Sequence, residues 1–218
     1  MVTPNAEVVC MSQKEDLFNA YCETDDAFDN ALDVYGSTLL AYADQIVSCG
    51  GIVDQHVTAD CYTLDPSIIS WQLSQAKALL KGRYLAAVAK TPKGDWVISG
   101  GFTDVPTRGS TSSTKTVEMM NAKKHQFEAD LTFPTAQHCL VHYHCFYFFY
   151  GGGTGSFSNV ALSSAYFHHY KTGNYHLLEP MKVPRSNHVC FATAQKGKDR
   201  RVSIPLSHRF HGHSCHST

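Results

Sequence analysis

The stretch Gln137-His-Cys-Leu-Val-His-Tyr-His-Cys-Phe-Tyr-Phe-Phe-Tyr150 decides the fold, because no other run is as long or as apolar. It is rich in aromatic residues and holds neither Pro nor Gly, so it reads as one long strand. Side chains alternate across a strand, which puts His138, Leu140, His142, His144, Phe146 and Phe148 on one face. Its end is apolar on both faces, the mark of a central core strand or an interface.

Strand character extends outward in both directions. Arg83 to Lys90, Thr91-Pro-Lys-Gly94 and Asp95 to Ser99 read as a β-hairpin. Further strands are expected near Phe127–Phe133, Ser156–Phe167, His188–Ala194 and Arg201–Leu206, the last two joined by a turn at Lys196-Gly-Lys-Asp199. Gly151-Gly152-Gly153-Thr154-Gly155 lacks the Gly-Lys-Ser/Thr ending of a phosphate loop and reads as a connector. The first third reads as helical. Ser12-Gln-Lys-Glu15 is a capping box. Ala27–Val47 carries Phe28, Leu32, Tyr35, Leu39 and Ile46 and stops at Gly50-Gly51. Asp65-Pro66 opens a third helix ending near Gly82. One more helix is expected over Thr114–His125.

The expected fold is therefore α+β. An antiparallel β-sandwich core is flanked by helices, and an N-terminal helix is free to project. No composition break or repeat divides the chain, so 1–218 is a single domain, mainly helical over 1–82 and mainly β over 83–218.

With 18 Lys+Arg against 19 Asp+Glu, the net charge of −1 offers no basic surface for nucleic acid or an anionic membrane. It also removes the repulsion that keeps copies apart. No window suits a membrane span and no leader pattern opens the chain. The eight cysteines form no CxxC pair and are expected to be reduced thiols packed as small hydrophobes.

The thirteen histidines are the unusual feature. His142 and His144 make a His-x-His pair that could offer two imidazoles to zinc, and His211 and His213 near the C-terminus could grip a metal. The apolar face around the first pair favours core packing instead, so no metal is expected. Cys61 and Cys190, the latter two residues from His188, are the only hints of a cysteine nucleophile, and no local motif accompanies them. No catalytic set emerges. A zinc-dependent or Cys-His hydrolase built on His142, His144 or Cys61 is the alternative reading.

The order of segments over roughly 83–208 resembles a cypovirus polyhedrin. It comprises the hairpin at Arg83–Ser99, the Thr114–His125 segment, the strand from Gln137, Phe157-Ser-Asn-Val-Ala-Leu-Ser163, His168-His-Tyr-Lys-Thr-Gly-Asn-Tyr175, Ser186-Asn-His-Val-Cys-Phe191 and Arg201-Val-Ser-Ile-Pro-Leu-Ser-His208. The chain would be a short, His-rich and divergent member. The resemblance implies a structural protein of viral occlusion bodies in the host cytoplasm. Such a protein self-assembles as trimers into crystals that embed virus particles. It requires no cofactor, although some members hold a nucleotide between subunits. Dissolution in alkali would follow from ionising side chains, with Tyr143, Tyr147, Cys145, Tyr166, Tyr170 and Tyr175 as the pH-responsive candidates.

Overall fold

A computed structural model describes residues 34–42, 45–65, 70–91, 93–105, 112–120, 125–127, 130–143, 146–154, 160–169, 172–190, 193–194, 201–204 and 208–211. Every regular element among them is a strand. The first sheet comprises β1 (Thr38–Tyr42), β2 (Gln45–Cys49), β5 (Asp60–Asp65) and β6 (Ser70–Ala78), with a small hairpin, β3 (Ile52–Val53) and β4 (His56–Val57), inserted after β2. The second runs β7 (Ala87–Lys90), β8 (Trp96–Ser99), β9 (Val117–Met120), β10 (His125–Phe127). The third runs β11 (Cys139–Tyr143), β12 (Phe146–Tyr150), β13 (Ala165–His169), β14 (Asn174–Leu177). A fourth holds β15 (Thr193–Ala194), β16 (Arg201–Ile204) and β17 (His208–His211). All pairings are antiparallel between neighbours.

The α+β expectation is overturned: the described residues form an all-β chain with no helix. The segments read as helices over Ala27–Val47, Asp65–Gly82 and Thr114–His125 supply β1 and β2, β6, and β9 with the start of β10. Their apolar residues fit two periods at once. In β6, Trp71 and Leu73 alternate with Gln72 and Ser74, and pairing with β5 through Leu64↔Trp71 and Tyr62↔Leu73 settles the matter in favour of a strand. The capping box at Ser12–Glu15 and the projecting N-terminal helix lie outside the described residues. The long strand at 137–150 is two strands: Tyr143 pairs with Phe146, so β11 and β12 form a hairpin. The hairpin at Arg83–Ser99 is present as β7 and β8.

The chain also has a repeat, where none was expected. Gly50-Gly51, Gly100-Gly101 and Gly151-Gly152 each follow the second strand of a sheet, spaced by about fifty residues. All six have positive φ. At the first glycine of each pair a Cβ would run into the carbonyl of Arg83, Thr135 or Arg185, so only glycine fits. The second glycine donates its N–H to that same carbonyl, at 2.8 to 2.9 Å.

A second periodic feature ties the sheets together. Gly36, Leu85, Gln137 and Asn187 precede successive sheets, and each is left-handed, with φ of 70°, 52°, 55° and 51°. Leu85 N donates to Gly36 O at 2.8 Å, Gln137 N to Leu85 O at 2.9 Å, and Asn187 N to Gln137 O at 3.0 Å. This main-chain relay holds the starts of neighbouring sheets together, and β7 lies against both β1 and β11. Four-stranded antiparallel sheets at this period, with their first strands side by side, are arranged as blades are in a β-propeller.

Apolar layers fill the seams. Leu40, Val47, Cys49 and Cys61 of the first sheet pack on Trp96, Ile98 and Met120 of the second. Ala87, Ala89, Val97 and Val117 of the second pack on Leu140, Tyr147, Phe149 and Tyr166 of the third.

Candidate functional site at the sheet seams

The ends of the sheets that carry the glycine pairs hold several of the buried polar groups, while His168 is buried within β13. Arg83, just before β7, is fully enclosed and pairs with Glu118 of β9, also fully enclosed. Nη1 donates to Gly100 O at 2.8 Å and Thr116 O at 3.0 Å. Nη2 donates to Thr116 Oγ1 at 2.8 Å and to Glu118 Oε1, and Nε to Lys81 O at 3.3 Å. The carboxylate also accepts from the backbone N–H groups of Leu80 (2.7 Å) and Lys81 (3.1 Å). Burial pulls the guanidinium below its ordinary range while Glu118 opposes that pull. The knot clamps the link between the first and second sheets onto the second. Nothing local in the sequence marks it, because its partners are 35 residues apart.

At the next seam, Ser99 Oγ and His138 Nε2 share a hydrogen bond of 2.7 Å. Burial first, then the nearby His188, lowers the His138 pKa to about 3, and burial with Arg185 lowers that of His188. Both imidazoles are therefore neutral at pH 7. They crowd the glycine pairs: a Cβ on Gly100 would meet His138 Cε1 at 2.9 Å, and one on Gly151 would meet His188 Cε1 at 2.8 Å. Thr135 Oγ1, His138 Nδ1 and both His188 nitrogens are buried with no hydrogen-bond partner. Two imidazoles fall short of the three or four ligands of a zinc site. Among the described residues no group of three or more His, Cys, Asp and Glu converges.

The expectation of reduced thiols is corrected for four of the eight cysteines, and Cys10, Cys22, Cys145 and Cys215 lie outside the described residues. Cys49 is bonded to Cys61 across β2 and β5, and Cys139 of β11 to Cys190, which lies between β14 and β15. Neither Cys61 nor Cys190 is thus a free nucleophile.

His142 heads a row that crosses the third sheet, His142↔Tyr147↔His168↔Tyr175. His142 meets Tyr147 edge-on at 4.9 Å, and His168 stacks on Tyr175 at 4.4 Å. Tyr166 lies on the same face, stacked on Phe149 at 4.8 Å, and burial pushes its pKa upward. Tyr147, Tyr166 and Tyr175 thus come together, but as part of the layer against the second sheet. Tyr143 lies on the opposite face, half-buried. His144, Cys145, Tyr170 and His213 lie outside the described residues, and only the backbone of His211, in β17, is described.

The geometry defines a repeat scaffold of blade-type sheets whose buried polar groups sit between sheets. No protein-family model matches the chain, and no curated protein does. A solved structure described as "Structure of YjhT" is similar over 78% of this chain, with a TM-score of 0.59 and 13% identity. The chain spans 60% of that structure's length. At this identity the likeness concerns the fold alone.

Proposed function

We propose that this chain works by association: a scaffold of stacked β-sheets that packs against further sheets, copies of itself included, with no chemistry of its own. The observation that carries the reading is the placement of its buried polar groups. Arg83, Glu118, Ser99 and the relay from Gly36 to Asn187 all tie one sheet to the next. The two disulfides favour maturation in an oxidising compartment. Sedimentation of the purified chain at neutral pH over a wide concentration range tests the reading. Concentration-dependent assembly is expected, and a monomer throughout would overturn it.

The crystal-forming occlusion protein implied by the polyhedrin resemblance is the narrowest form of this reading. It adds a trimer, virus particles and dissolution in alkali. It stands without architectural support, since the segments it needs as helices are strands. Cells expressing the chain alone would contain micrometre-sized bodies if it holds.

A further inference from the structure

The two disulfides sit in unlike places. Cys49 and Cys61 face each other on neighbouring strands and are 1% and 0% exposed. The pairing of β2 with β5 keeps them side by side whether or not they are bonded. Cys139, in β11, is 7% exposed, but its partner Cys190 is half-buried and belongs to no strand. The second bond closes a separation of 51 residues and the first only 12. A cross-link restrains the chain more the longer the loop it closes.

The stretch that ends in Cys190 is lightly built. It holds no strand between β14 and Cys190, and Lys182, Val183, Pro184 and Arg185 are exposed. Val189, next to the bonded cysteine, is 90% exposed. Met181 is its one fully buried apolar anchor. Single main-chain bonds pin it to the third sheet and its links: Met181 N to Ser163 O (2.7 Å), Arg185 N to Leu162 O (3.0 Å), Gly152 N to Arg185 O (2.8 Å) and Asn187 N to Gln137 O (3.0 Å). The last of these is the final step of the relay, three residues from Cys190.

We infer that Cys139–Cys190 is a thiol–disulfide exchange site. A dithiol reductant opens it while Cys49–Cys61 stays closed, and opening it releases the stretch 179–190 from the third sheet. The inference stands apart from the association reading above. One thiolate of the reductant attacks the sulfur of Cys190, the more exposed cysteine, and a mixed disulfide forms as the bond to Cys139 breaks. Cys139 leaves as a thiolate and takes up a proton. The second thiolate of the reductant then displaces Cys190, which is protonated in turn. The two cysteines are reduced to thiols, the dithiol is oxidised to a disulfide, and the protons lost by its thiols end on Cys139 and Cys190.

The test begins with a graded series of dithiothreitol on the full chain, with freed thiols capped by iodoacetamide and located by peptide mass mapping. Cys139 and Cys190 should be capped at a reductant concentration about tenfold below the one that frees Cys49 and Cys61. Hydrogen exchange on the selectively reduced chain reads the consequence. Amides of 179–190 should exchange about tenfold faster or more, while those of β2 and β5 keep their rates. Cys139→Ser with Cys190→Ser should show the same local rise without reductant, and if that variant fails to fold the reduced wild type carries the reading alone. Opening of Cys49–Cys61 first, or together with the other bond, would overturn the exchange site. Selective opening with unchanged exchange over 179–190 would overturn the release. Exchange rising in β2 and β5 as well would overturn it too, because the bond would then secure the whole fold and not one stretch.

Discussion

Replacing Glu118 with Gln separates the buried ion pair from every exposed one. Its side chain is fully enclosed and takes Arg83 Nη2 together with the N–H groups of Leu80 and Lys81. Gln keeps the shape but removes the charge, and its NH2 must face a donor. Arg83 stays cationic, since a guanidinium does not give up its proton in a protein. Breaking a buried pair by removing one partner costs about 3–5 kcal/mol. At about 2–4 °C per kcal/mol for a domain of this size, the midpoint should fall by about 6–20 °C. The internal control is Lys115–Asp130, at 3.2 Å with side chains 55% and 47% exposed. Asp130→Asn should cost about 0–1 kcal/mol, because solvent screens the pair. Thermal melts and urea titrations of both variants give the comparison. If Glu118→Gln shifts the midpoint no more than Asp130→Asn, the account of the Arg83 knot is wrong.

Acid should loosen the chain through His138 and His188. Their folded-state pKa values lie below 6.5, so the unfolded chain takes up protons first as the pH falls. The stabilisation from both is present above pH 6.5 and is lost as the pH falls below it, for His138 down to about pH 3. From pH 6.5 to 4.5, His138 alone should account for about 2 kcal/mol. Urea titrations of wild type and His138→Gln at the two pH values test this, and an unchanged pH dependence in the variant would refute it. The disulfides make a separate prediction. Cys139→Ser with Cys190→Ser should cost about 2–4 kcal/mol. Peptide mapping without reductant should recover Cys49–Cys61 and Cys139–Cys190, and free thiols at these positions would contradict the structure.

The legible parts of the fold are those set by local chemistry. Thr91-Pro-Lys-Gly94 is a turn by its own residue types, and β7 and β8 follow from it. Antiparallel β character after Gly82 is legible for the same reason. The N-terminal strands are not, because Leu39, Ile46, Trp71 and Leu73 sit at spacings that serve a helix face as well as a strand, and pairing partners far along the chain decide between them. The glycine pairs are visible, but taken singly they mean no more than a helix stop and a connector. Their meaning lies in the interval between them. At the site, the aromatic run and its histidines stand out in the sequence, and His142, Tyr147, Tyr166 and Tyr175 do come together. That they belong to a packed seam depends on the second sheet, which no local pattern reveals. Arg83 and Glu118 leave no trace at all, as a salt bridge between distant positions carries no motif.

The relay through Gly36, Leu85, Gln137 and Asn187 uses peptide groups alone. A glycine, an aliphatic residue and two amides all serve there. An architecture pinned through its main chain makes few demands on side-chain identity where its units join. Such a molecule can keep its shape while its side chains vary widely, and the similar fold of a solved structure at 13% identity is in keeping with that.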